Sequence, residues 1–132
     1  MIYNLKMTQI NGQKEELEIR LKEFCFQVIQ LIKSLPKTEE NIVFGKQIIR
    51  SSSSIGANYA EAIYGQTKQE FLHCLSICRK EANETLYWLD MILKTNPRFA
   101  ENIISLLDEN KQILKIFISS VKTTRKGIEN GQ

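Results

Sequence analysis

A chain of 132 residues with 42% hydrophobic and 25% charged residues is sized for one globular domain that buries its own core, and no second domain is expected. No run approaches the ~20 apolar residues of a membrane span, and the N-terminal segment lacks the apolar stretch of a signal peptide, so a soluble, cytoplasmic protein with no membrane contact is expected. The formal net charge of +3 does not by itself demand a polyanionic partner.

Residues 1–12 alternate weakly and end in the turn pair Asn11-Gly12, which reads as a flexible lead. Residues 13–127 then carry four amphipathic segments, predicting an all-α domain, and residues 128–132 form a tail. The first helix, over 14–35, places Leu17, Leu21, Phe24, Val28, Leu31 and Leu35 at alternating steps of four and three, the buried stripe of an amphipathic helix, and stops before Pro36. Thr38 caps the second, over 39–64, with Glu39 and Glu40 in the first turn, where the helix dipole favours carboxylates. Its seam reads as Ile42, Gly45, Ile49, Ser52, Gly56, Tyr59 and Ile63, which puts the serine run Ser51–Ser54 in a helix interior. Gly45, Ser52 and Gly56 would let a neighbouring helix approach closely.

Gly65 stops that helix, and Thr67-Lys68-Gln69-Glu70 reads as a capping box opening the third, over 68–94. The third seam is Phe71, Leu75, Cys78, Ala82, Thr85, Leu89 and Ile92. Asn96-Pro97 begins the fourth helix, over 97–126, with Ile103, Leu107, Asn110, Leu114, Phe117 and Val121 facing inward. No stretch alternates with period two, so strands are not expected. Short connections make an antiparallel up-down-up-down four-helix bundle the economical arrangement.

Beside the seam of the second helix runs a polar stripe of Gln47, Arg50, Ser51, Ser54, Asn58 and Glu61. The pattern Gln47-x-x-Arg50-x-x-x-Ser54-Ile55-x-x-Asn58-x-x-Glu61 resembles the signature of the bacterial four-helix bundle proteins also called 23S rRNA-intervening sequence proteins. Leu35-Pro36 before it and Lys80-Glu81-Ala82-Asn83-Glu84-Thr85-Leu86-Tyr87-Trp88-Leu89 after it look like further blocks of that family. The resemblance covers roughly residues 15 to 122, and departs from the pattern where Ala62, in place of a glycine, follows Glu61. It implies a homopentamer of bundles around a central axis. A related branch looks like the accessory subunit of diversity-generating retroelements, in which a basic pentamer partners a reverse transcriptase. The family name records the position of a gene within an rRNA insertion and does not establish rRNA binding.

Catalytic chemistry finds little to work with. His73 is the single histidine and falls opposite the third seam, beside Lys80 and Tyr87, with no carboxylate at metal-ligand spacing on that face. Helical ribonucleases of the HEPN type place an arginine four to six residues before a histidine, whereas here only Lys68 precedes His73. P-loop, nucleophile-elbow and HExxH patterns are absent. Glu61, Glu81 and Glu84 could meet between the second and third helices, yet the Glu-x-x-His motifs of di-metal bundles are missing. Cys25, Cys74 and Cys78 form no CxxC pair and read as small hydrophobes in a reducing compartment. No catalytic, cofactor-binding or metal-ligating residue is assigned, and a non-enzyme without cofactors is expected.

Three surfaces remain. Arg50, Ser54, Asn58 and Glu61, with Glu84, read as a structural polar network that fixes helix register, with ligand contact as the alternative use of that stripe. Ile19 and Phe26, opposite the first seam, and Trp88, at the flank of the third helix, read as an interface covered by another subunit. Lys111, Lys115, Lys122, Arg125 and Lys126 follow one another with no acid between them. That run fits both a solvated helix end that complements the dipole and a nucleic-acid contact. A pentamer would carry five times +3, or +15. The leading expectation is therefore a non-enzymatic oligomeric bundle that binds RNA or another nucleic acid, or holds an enzyme acting on one. The alternative is a structural or adaptor oligomer with a protein partner, such as a reverse transcriptase, and no nucleic-acid affinity.

Overall fold

The computed structural model describes residues 2–131, with side chains from residue 12 onward. Within them the chain forms four helices, α1 (Ile2–Ser34), α2 (Glu39–Ile63), α3 (Lys68–Thr95) and α4 (Ala100–Glu129), and no strand. A short 3₁₀ turn, Pro97–Phe99, leads into α4. The backbone of α1 is helical from Ile2, so the Asn11-Gly12 pair lies inside a helix instead of ending it. At the other end α4 continues through Gly127 to Glu129, and the left-handed residue that follows it is Gly131, with φ of 70°.

Local chemistry sets the helix boundaries. The Thr38 hydroxyl accepts from the Asn41 backbone N–H at 3.2 Å and caps α2. Thr67 accepts from the Glu70 N–H at 3.0 Å while the Glu70 carboxylate accepts from the Thr67 N–H at 3.3 Å, a complete capping box. Asn41 and Asn96, both buried, exchange side-chain amide hydrogen bonds at 2.8 Å in each direction. Asn41 also donates to the Pro36 carbonyl at 2.9 Å, so this pair fastens the α1–α2 connection to the end of α3.

Each helix packs against two neighbours: α1 on α2 and α4, and α3 on α2 and α4. The α1/α2 and α3/α4 edges therefore lie on opposite sides of the molecule. Between them sits one core of Leu21, Phe24, Val28, Leu31, Ile48, Ile55, Leu75, Leu89, Ile92, Ile103, Ile113, Phe117 and Val121, with Tyr59 edge-on to Phe117 at 5.9 Å between centroids. Burial on this scale, at about 25 cal/mol per Å² of apolar surface, is what holds the helices together.

The inward faces of α1 and α3 are those the spacing predicts; on α4 Leu106 and Ile113 join the buried line while Leu114 stays half-buried at its edge, and the face of α2 is turned. Asn41, Ile48, Ile55 and Ala62 are buried beside Gly45, Ser52 and Tyr59, whereas Ile42 is 47% exposed and Ile49, Gly56 and Ile63 are half-buried. Two heptad lines one residue apart compete on this helix. The line that wins includes Asn41 because its amide is satisfied by Asn96, a partner 55 residues away. Ser51, placed on the polar stripe by spacing, is fully buried and shares a 2.8 Å hydrogen bond with Thr85 of α3.

Candidate functional site

The surfaces that could carry function follow from which side chains the core leaves outside. On α4 the inward line through Asn110, Ile113, Phe117 and Val121 forces the opposite side outward. Lys111, Lys115, Lys122, Arg125 and Lys126 are all exposed, and among the described residues none of them forms an ion pair. Lys111, Lys115, Ile118, Lys122 and Arg125 follow steps of four and three and so share one stripe of the helix.

That stripe has a neighbour the sequence did not pair with it. Arg79, Lys80 and Asn83 of α3 line a groove of about 490 Å³ with Leu114 and Ile118 of α4. Arg79, Lys80 and Asn83 are exposed, and Ile118 is 47% exposed. Asn110 fixes the relative position of the two helices, since its fully buried Nδ2 donates to the Ala82 carbonyl at 3.0 Å. The basic residues of α4 thus stand beside two further cations on α3, along one edge of the bundle. Exposed Asp90 on α3 and exposed Asp108 on α4 mark where the positive surface stops.

The proposed polar network is brought together only in part. Arg50 bridges from α2 to both Glu81, at 3.3 Å, and Glu84 of α3, and Trp88 Nε1 donates to Glu84 at 3.1 Å. Burial opposes the Arg50 charge, and the hydrogen bonds and attraction of Glu84 and Glu81 outweigh it, holding the guanidinium pKa above its ordinary value. Asn58 instead donates to the Ser54 carbonyl one turn back, at 2.8 Å, and stays within α2. Glu61 is exposed and makes no hydrogen bond or ion pair among the described residues. Glu81, absent from the assigned network, is a full member of it. A second bridge, found only in three dimensions, joins Arg20 of α1 to Glu109 at 2.5 Å and to Gln112 at 2.9 Å on α4. The Glu109 hydrogen bond and charge raise the Arg20 pKa against the cost of its burial.

Of the outward residues, Ile19 and Phe26 are 68% and 54% exposed. Trp88 is different: it is half-buried, with Phe44 of α2 at 5.7 Å and Tyr87 at 5.0 Å between ring centroids, so its own chain covers much of the ring. Phe26 borders a groove of about 510 Å³ between α1 and α2, lined also by Leu21, Cys25, Ile29, Gly56 and Ala60. Gly56 faces this open space, and a Cβ there would meet Leu21 at 3.6 Å, an ordinary contact. The tight approach is at Gly45, where a Cβ would stand 2.8 Å from Ile32 Cγ2.

No group of three or more His, Cys, Asp or Glu side chains among the described residues has metal-binding geometry, and His73 is exposed on α3. Burial pushes the Cys78 thiol up to about 12 while its S–H donates to the Ile55 carbonyl at 3.4 Å, which makes it inert packing at neutral pH. No described helix is long and apolar enough to cross a membrane.

Four helices closed around one apolar core, with charged and apolar faces left outside, define an all-α four-helix protein. The chain belongs to the 23S rRNA-intervening sequence protein family, whose pattern matches residues 15–119. It is similar to a crystal structure of a protein of unknown function from the S23 ribosomal protein family of Bacteroides thetaiotaomicron VPI-5482. The two are 36% identical over 83% of this chain and 97% of that one, with a TM-score of 0.74. No curated protein matches the chain.

Proposed function

We propose that this protein is a non-catalytic, oligomeric four-helix bundle of up-down-up-down course that binds nucleic acid, RNA foremost, through its α3/α4 edge. The observation that carries the reading is the clustering of exposed, unbridged cations there: Lys111, Lys115, Lys122 and Arg125 on α4, with Arg79 and Lys80 across the groove. Cations held in ion pairs elsewhere, at Arg20 and Arg50, are spoken for; these are available to phosphates. Lys126 extends the surface toward the helix end, where the dipole also favours positive charge.

Assembly belongs to the same reading. The apolar groove between α1 and α2, with Phe26 at its border and Ile19 beyond, lies on the side opposite the cations, so a homopentamer formed through it would leave the basic edges free. Trp88 stands at the α2/α3 flank and would contribute only its uncovered part. That apolar groove also favours the second reading, an adaptor that binds a protein partner, a reverse transcriptase for one, and no nucleic acid. The place of action in either case is the cytoplasm.

Binding of a labelled RNA at 50 and 200 mM salt tests the first reading. The logarithm of wild-type affinity should fall with the logarithm of salt concentration, and changing Lys115, Lys122 and Arg125 to glutamine should weaken binding and flatten that slope by roughly 0.7 to 0.9 for each phosphate no longer neutralised. Equal binding by wild type and variant removes this edge as the binding surface. No binding at 50 mM salt leaves the adaptor. Light scattering should give a multiple of 15.3 kDa, five on the pentamer reading, and Phe26→Asp should reduce it to the single-chain mass.

A further inference from the structure

The α3 side of the basic edge carries more than charge. His73, Lys80, Asn83 and Tyr87 follow steps of seven, three and four, so they lie on one outward stripe of α3, and all four are exposed. Tyr87 is 57% exposed, and its ring is held edge-on against Trp88 at 5.0 Å and 81°. Trp88 is itself fixed, by Phe44 on one side and by its hydrogen bond to Glu84. A large aromatic ring is therefore presented to solvent in a set orientation, one turn from Asn83 and two from Lys80. Toward α4 the groove beside it is floored by Leu114 and Ile118 and flanked by Arg79.

Duplexes and single strands ask different things of such a surface. A duplex presents phosphates and hides its base faces, so cations alone serve it. A single strand also exposes base faces, and aromatic side chains beside a positive groove supply stacking that tolerates any sequence. The hydroxyl of an exposed tyrosine can meet a phosphate of either, but the face of its ring offers stacking that only a single strand can use.

We infer that the α3/α4 edge is a single-strand site, in which the backbone follows the cations of α4 and the Arg79–Lys80 pair while a base stacks on Tyr87. This rests on the nucleic-acid reading above and narrows its substrate class. Tyr87 ends the site, because Asp90 stands one turn beyond it and repels phosphate. From Lys111 to Arg125 the α4 stripe spans about 21 Å at ~1.5 Å per residue, which is room for roughly six nucleotides at the ~3.4 Å spacing of a stacked strand.

Fluorescence anisotropy with a labelled 12-nucleotide oligouridine, the same length of duplex RNA, and inorganic polyphosphate as competitor tests the inference. The single strand should bind more tightly than the duplex, and polyphosphate should displace it incompletely at equal charge. Tyr87→Ala should weaken single-strand binding at least about fivefold, a tenfold loss being ~1.4 kcal/mol, and leave duplex binding unchanged. Tyr87→Phe should keep the wild-type affinity, and Tyr87→Leu, which preserves packing on Trp88, should lose it as alanine does. Equal single-strand affinity in wild type, Tyr87→Ala and Tyr87→Leu overturns the stacking role while leaving an electrostatic site in place. Failure of every probe to bind overturns both this inference and the function on which it rests.

Discussion

The two flanks of α2 draw on the same run of small residues and differ in what they become. Toward α3 the run closes: Ser51 shares a hydrogen bond with Thr85, Thr85 donates on to the Glu81 carbonyl at 2.8 Å, and Arg50 clamps the rim to Glu81 and Glu84. Toward α1 it closes only near the connection, where Gly45 lies under Ile32, and beyond that it opens into the groove lined by Ser53, Gly56, Ala57 and Ala60. A small residue permits a close approach but does not produce one. The neighbour decides: α3 brings Ala82 and Thr85, which are small or can hydrogen-bond, whereas α1 brings Leu21, Ile29 and an outward Phe26.

The largest effect should come from filling the closed end of the α1 flank. Gly45→Leu places its Cβ against the stiff, branched Ile32 and should cost about 1–3 kcal/mol or more, read as a lowered thermal midpoint. An unchanged midpoint would mean that the two helices do not meet closely there.

Alkaline pH should act next, and on the closed side. Burial raises the Cys78 thiol from an ordinary 9.0 to about 12, and burial with the neighbouring Cys78 raises Tyr59 from 10.0 to about 12. Both groups stay protonated in the folded chain while the unfolded chain loses its protons, so stability is fully present below pH 9 and falls as pH rises toward 12. Thermal midpoints measured across that window should drop, and Cys78→Ala should remove part of the drop. A flat profile would place both groups in contact with water.

Gly56→Ala probes the open groove and should work in the opposite direction to the first change. Alanine is up to ~1 kcal/mol better than glycine in a helix, and here its methyl meets Leu21 at an ordinary distance, so the midpoint should rise. The measurement is made on the single-chain Phe26→Asp form, in which no second subunit covers the groove, and a fall there would mean that α1 itself closes on Gly56. The smallest effect belongs to Arg50→Gln, since the side chain is 48% exposed and bridges of that kind contribute about 0–1 kcal/mol. A loss well beyond that would make the rim bridge, and not the Ser51–Thr85 pair beneath it, the fastener of the α2/α3 flank.

Much of this was legible in the residues themselves. Thr38, Thr67 and Glu70 announce their helix starts because capping depends on neighbours in sequence, and the inward lines of α1 and α3 follow from one dominant apolar repeat. On α4 the adjacent pairs Leu106-Leu107 and Ile113-Leu114 leave its width open, and of the second pair Ile113, not Leu114, is the one buried. On α2, isoleucines at 42, 48, 49, 55 and 63 supply two overlapping repeats, and only the Asn41–Asn96 pair across the fold selects between them. Asn11-Gly12 misleads for the converse reason, since a turn pair is a local preference that a continuing helix overrides. The exposure of Lys115 and Lys122 could be read from spacing. Their company with Arg79 and Lys80 could not, because it depends on the rotation at which α3 and α4 meet.

Whether nucleic acid lies along the α3/α4 edge is decided most directly by footprinting lysine amines on the intact protein with and without bound RNA. Lys80, Lys111, Lys115 and Lys122 should be protected, with Lys22 and Lys33 of α1 equally modified in both samples. Protection confined to the lysines of α1, with those of α3 and α4 untouched, would contradict a basic-edge site.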